Sequence, residues 1–144
     1  MSKRSKIVQK IVSLLKENLN GLDYSSNVYN NVSNKVVFWD EINNFPHISI
    51  SAGNEARQYL PSNFKWAYLS INIRVYIQDE NAYTVLEEFL GDIEAIIDAN
   101  NNLVYDSDTG DTTELISIIS IDTDQGLLEP LAVAEMVLQV QYDV

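Results

Sequence analysis

The sequence predicts an α+β fold, a mostly antiparallel sheet of four to five strands with two main helices packed on one face. Three observations point there. Residues 3–20 and 81–99 set apolar side chains at three- and four-residue spacing, the period of a helix with one buried stripe. Residues 64–78 alternate apolar and polar, the period of a strand with one buried face. The remaining apolar runs are strand-like and joined mostly by short turns, as neighbouring antiparallel strands are. At 144 residues, with no repeat and no linker, the chain reads as a single domain over 1–144. A domain of that length buries roughly 68–70% of the surface its unfolded chain exposes, enough to fold without metal or disulfide.

In the first helix Ile7, Ile11, Leu14, Leu15 and Leu19 form the stripe, and Asn20-Gly21 is the expected stop. Residues 21–34 are dense in Asn and Ser, which bond to their own backbone, so a loop or irregular edge is expected, tethered by Tyr24, Val28 and Tyr29. Val36-Val-Phe-Trp39 predicts a short strand, and Phe45–Ser51 another with Pro46 at its start, where a missing N–H is tolerated. Residues 52–63 read as a long polar connection carrying Tyr59 and Leu60, of the kind that is often functional or mobile. In the strand 64–78, Ala67, Leu69, Ile71, Ile73, Val75 and Ile77 share one face. Trp66, Tyr68, Ser70, Asn72, Arg74, Tyr76 and Gln78 share the other. Fully extended it spans roughly 45–50 Å, long enough to reach beyond its own domain. The second helix buries Ala82, Val85, Leu86, Phe89, Leu90, Ile93, Ile96 and Ile97, with Asp79 and Glu80 favouring the positive end of its dipole. Strands near 114–121 and 132–142 complete the sheet around a turn at Asp122–Gly126.

Charge is distributed unevenly. Lys3, Arg4, Lys6, Lys10 and Lys16 precede the first acid, Glu17, whereas residues 75–144 hold sixteen acids and no base, within a net charge of −12. One reading is a solvated surface with a basic N-terminal helix. The other is a polarised subunit whose basic end, with Lys3, Arg4 and Lys6, meets an acidic surface on a neighbouring copy. In both, so acidic a chain is poorly suited to gripping a phosphate backbone. With no cysteine, the chain has no disulfide framework, thiolate metal site or Cys nucleophile, and it suits a reducing cytoplasm. Lys10, Lys16 and Glu17 interrupt the apolar positions after the basic start, so no signal peptide is expected, and no run approaches a membrane span.

No catalytic residue, metal site or cofactor site is predicted. His47 is the one histidine, beside Pro46 at a strand start; a Ser–His–Asp triad would need it, yet no Gly-x-Ser-x-Gly elbow is present. Asp106, Asp108, Asp111 and Glu114 begin like a calcium loop, but the glycine falls one position early and Ser117 stands where the closing acid belongs. A solvated turn is the expected reading. Glu87, Glu88, Asp92, Glu94 and Asp98 read as the wet face of the second helix, although paired carboxylates also serve glycosidases. Trp66, Tyr68 and Tyr76 resemble a stacking platform for single-stranded nucleic acid, but only Arg74 accompanies them, which favours a second core layer or an interface.

The layout resembles the tail terminator (tail completion) proteins of long-tailed bacteriophages. The resemblance rests on the amphipathic first helix, Phe45-Pro-His-Ile48, Leu69-Ser-Ile-Asn-Ile-Arg-Val-Tyr-Ile77, Asp92-Ile-Glu-Ala-Ile-Ile97 and the closing segment 120–142. It covers nearly the whole chain, while the Asn-rich insert 25–34 has no counterpart in it. It implies a structural subunit of the virion tail, made in the bacterial cytoplasm and forming a homo-oligomeric ring, usually hexameric, on the head-proximal end of the tail tube. The ring would stop polymerisation of the tail-tube protein and dock a head completion or neck protein. It also implies that the connection 52–63 reaches a neighbour, with Tyr59 and Leu60 as anchors beside Arg57 and Trp66. DNA would pass through a carboxylate-lined lumen without specific binding, and no membrane is involved. The alternatives are another phage neck or tail-tube protein, or an acidic DNA mimic that binds a host protein.

Overall fold

The computed structural model describes residues 1–144, and its first element is helix α1, Lys3–Asn18. The Ser2 hydroxyl accepts the Ser5 N–H at 3.2 Å, satisfying one of the free donors of the first turn, and Lys16 sits in the last turn, where the dipole favours a cation. Ser2→Ala is therefore expected to cost about 1 kcal/mol. The loss is read as faster amide exchange in the first turn of α1 with the rest of the fold protected as before. The helix ends earlier than Asn20 because Asn18 and Asn20 turn their side chains onto the backbone. Asn20 Oδ1 accepts from both Leu22 and Asp23 N–H groups, and Gly21 then takes a left-handed conformation at φ +82°.

The Asn-rich stretch does form the irregular edge expected of it. Val28 and Tyr24 hold it to the core, but Tyr29 turns outward, and Val32–Ser33 becomes a two-residue strand, β1. The strand expected at Val36–Trp39 is absent. The backbone there pairs with no neighbour and closes a short 3₁₀ turn, Trp39–Glu41. Side chains pin it instead: the Tyr76 hydroxyl donates to the Val37 carbonyl at 3.3 Å, the Ser49 hydroxyl donates to the Lys35 carbonyl, and Trp39 stands edge-on to Tyr76 at 5.1 Å.

The largest departure from expectation is at 52–63. Most of that span is not a connection: strand β2 runs from His47 to Tyr59, after a cis Phe45–Pro46 peptide, and pairs antiparallel with β3, Lys65–Gln78. Its outer half is polar on both faces, so it shows no alternation to read. Its strand conformation comes from β3 across the hairpin, interrupted by a bulge between Ala52 and Glu55. Only Leu60–Phe64 turns the chain, with Ser62 and Asn63 at positive φ.

Helix α2, Ala82–Asp98, follows; the Glu129 carboxylate reaches the Tyr83 N–H at 3.2 Å, supplying the anion that its first turn itself lacks. The acidic turn after it is a small hairpin of β4, Val104–Asp106, and β5, Asp111–Thr112. Strands β6, Leu115–Thr123, and β7, Leu131–Asp143, complete a five-stranded sheet in the order β1-β2-β3-β7-β6, antiparallel except for the short β1–β2 pair. The predicted α+β class and antiparallel sheet are thus present. The whole predicted inner row of β3 is buried, together with Ile48 and Ile50 of β2 and Ala134, Met136, Leu138 and Val140 of β7, beneath the apolar stripes of both helices. The opposite face of the sheet carries no helix. Its β3 residues from Trp66 to Arg74 are half-buried and polar or aromatic.

Candidate functional site

The residues singled out in the sequence converge at one end of the molecule. Arg57, Tyr59, Leu60 and Trp66 lie on the β2–β3 hairpin, and Lys3, Arg4 and Lys6 lie on the first turns of α1 beside its base. Glu55 joins the two groups. Its side chain is only 6% exposed, accepts a hydrogen bond from the Tyr142 hydroxyl, pairs with Arg57 at 2.8 Å and lies 3.8 Å from Arg4. Arg4 also donates to the Gly53 carbonyl at 2.7 Å, so the helix is tied to the strand at the bulge. Burial pushes the Glu55 carboxyl upward, but the Tyr142 hydroxyl and the two guanidinium groups outweigh it and hold it below the ordinary glutamate value. The Tyr142 phenol is driven up, by burial and by the carboxylate it binds.

Sequence reasoning overlooked Glu55. The signal was present, since it is the sole acid between Glu41 and Asp79.

The bases of α1 are engaged within the chain. Lys6 contacts Asp106 at 2.6 Å, and Lys3 donates to the Asp143 carbonyl at 3.0 Å and lies 3.9 Å from Asp111. The acids of the β4–β5 hairpin therefore serve as partners of α1. No three His, Asp or Glu side chains gather with metal-binding spacing. Tyr105, packed edge-on to Tyr142 at 6.3 Å, has its phenol raised to about 12 by burial and by nearby Asp111, Asp143 and Asp106. His47 is half-buried near the Tyr76 ring, and burial lowers its pKa. The aromatic row of β3 is likewise absorbed locally. Tyr68 donates to Gln58, Tyr76 is covered by Trp39, and Arg74, the one base in that row of β3, pairs with Glu135 at 2.9 Å.

Apolar side chains are exposed in several places, Leu22, Tyr29, Val36 and Phe38 among them, and two such places belong to the β2–β3 hairpin and the edge strand. At the hairpin tip Tyr59 is 70% exposed and Phe64 58% exposed, with the Lys65 ammonium 5.1 Å from the Tyr59 ring centre. At the far edge of the sheet, β6 exposes Leu115, Ile119 and Ile121, and the following turn exposes Leu127 and Leu128. Sequence reasoning missed this second surface. Its signal was the near-continuous apolar run Leu115-Ile-Ser-Ile-Ile-Ser-Ile121, which one buried face cannot absorb. On α2, Glu87, Glu88, Glu94 and Asp98 are exposed without an ion pair, the densest patch of free negative charge on one element.

Over residues 1–144 the chain matches the model of a family described as Bacteriophage Tail Tube Terminator Protein. It is 35% identical over 153 aligned residues to the tail tube terminator protein p142 of Escherichia phage T5, covering 99% of this chain and 94% of that protein. Its fold is similar to that of a chain in the virion of a native gene transfer agent particle, with a TM-score of 0.63 and 10% identity over 99% of this chain and 100% of the other.

Proposed function

This chain belongs to the bacteriophage tail tube terminator family, and from that premise we propose how it works: as one subunit of a closed ring, six copies, on the head-proximal end of the tail tube. It is a structural protein of the virion tail. In the proposed ring one rim contacts the last layer of tail-tube protein and ends its polymerisation, while the other receives the head completion or neck protein. The family separates this reading from the tube, neck and DNA-mimic alternatives, and the proteins it resembles are structural tail components.

The observation that carries the ring is the form of the sheet. Both α-helices lie on one face, and the sheet ends in different strands on its two sides, β1–β2 and β6. Two unlike edges allow head-to-tail contact between copies, and such contacts give rings when the rotation closes. The free carboxylates of α2 suit a lumen, where fixed negative charge keeps duplex DNA in the water rather than on the wall. Terminator function is tested by tail length. Particles assembled without this chain are expected to carry tubes running beyond the normal length, restored when it is supplied in trans. Tubes of unchanged length in its absence would overturn the reading.

A further inference from the structure

We propose that the hairpin tip of one copy, with Tyr59 and Phe64, docks on the strip Leu115–Ile119–Ile121 of β6 in a second copy. The inference rests on the ring reading above and names the two surfaces that meet in it.

Three observations lead to this pairing. The tip closes the end of the β2–β3 hairpin and the strip lies on the edge strand β6, with β7 between β3 and β6, and both are exposed, so neither covers the other within one chain. Both present large apolar side chains to water: Phe64 and Ile119 are each 58% exposed. Association removes these groups from water, and aromatic anchors seated on aliphatic surface carry much of the energy of protein interfaces. The third observation is charge. Residues 56–67 hold Arg57 and Lys65 and no acid, while residues 114–130 hold Glu114, Asp122, Asp124 and Glu129 and no base. Lys65 and all four of those acids lack an ion-pair partner within the chain. Opposite charge around a shared apolar patch fixes the orientation of approach, and like charge opposes tip-to-tip or strip-to-strip pairing.

The bulge in β6 between Ile118 and Ser120 sets the mode of contact. It breaks the row of free backbone groups along that edge, so the strip is met by side chains and not by an added strand. An unbroken apolar edge would instead be a template for indefinite strand addition.

The native chain contains no cysteine, which makes the test direct. Particles carrying the doubly substituted chain Phe64→Cys with Ile119→Cys are oxidised and resolved without reductant. Each single substitution serves as the control for folding and incorporation, and the pair Tyr59→Cys with Leu128→Cys gives a second line of sight. The expected result is loss of the monomer band into a ladder of covalent oligomers for the double variants, with single variants remaining monomeric. If the double variants are incorporated, tail length is normal and only monomer appears with both pairs, the docking is overturned while the terminator reading stands. If the chain is missing from purified particles even in its native form, the terminator reading falls instead.

Discussion

Replacing Ile73 by alanine is expected to lower stability by about 2–5 kcal/mol, the range for truncating a fully buried large aliphatic side chain. Ile73 lies at the middle of β3 with no exposed surface, opposite Ile50 of β2 and Met136 of β7. Those neighbours are held in register by strands on both sides, so they cannot collapse into the space and the cavity persists. A small domain is stable by only about 5–15 kcal/mol in total, so the variant forfeits a large share of that margin. The melting temperature should fall on the order of 10 °C. Asn72 is the matched control. It sits one residue away on the half-buried opposite face, and Asn72→Ala should change stability by about 0.5 kcal/mol or less. Equal losses at the two positions would show that the helix-covered face is not the core.

Glu55→Ala should cost about 1–3 kcal/mol, because it strands a buried hydroxyl and leaves two guanidinium groups without the carboxylate between them. Arg4 and Arg57 come from different elements, so the loss should loosen the start of α1 and the hairpin base together. The sign with pH follows from the lowered carboxyl. Its contribution is complete above the ordinary glutamate value of 4.5 and is lost as pH falls through the lower value of the folded state. Glu55→Gln, which keeps the shape and removes the titration, should therefore be less stable than the native chain at neutral pH and converge with it in acid. Urea midpoints measured from neutral pH down to about pH 3 check this, the range that spans the ordinary carboxylate value. A constant gap between the two proteins across that range would remove the carboxylate from the account.

Much of the fold was legible because local pattern and tertiary environment agreed. The alternation of 64–78 and the stripes of both helices each describe one buried face, and the structure buries those faces. Reading failed where partners decided the conformation. Residues 52–59 offer no apolar face, yet β3 runs alongside them and supplies backbone hydrogen bonds, so they extend as a strand. Val36–Trp39 has the composition of a strand but lies where side chains of β2 and β3 hold it without backbone pairing. The candidate site divides in the same way. The hairpin residues Arg57, Tyr59, Leu60 and Trp66 were visible as apolar or charged groups in a polar stretch. The destinations of Lys3 and Lys6 were not, since their partners Asp143, Asp111 and Asp106 are about a hundred residues or more away in sequence.

The order of the strands has a consequence for the time at which the subunit becomes competent. The central strand β3 has β2 on one side, available as soon as the hairpin is synthesised, but its other neighbour is β7, the last strand of the chain. Strand β6 is made earlier than β7 yet joins the sheet only through it, and α1 donates from Lys3 to Asp143 at the end of β7. The hairpin and the edge strand β6 are therefore joined in one sheet only after residues 131–143 have been added, and pairings this distant in sequence form slowly. Under the proposed docking, a partly made chain could offer a hairpin to its neighbours but would have no framework on which to receive one, so synthesis itself would withhold assembly until the whole sheet is in place.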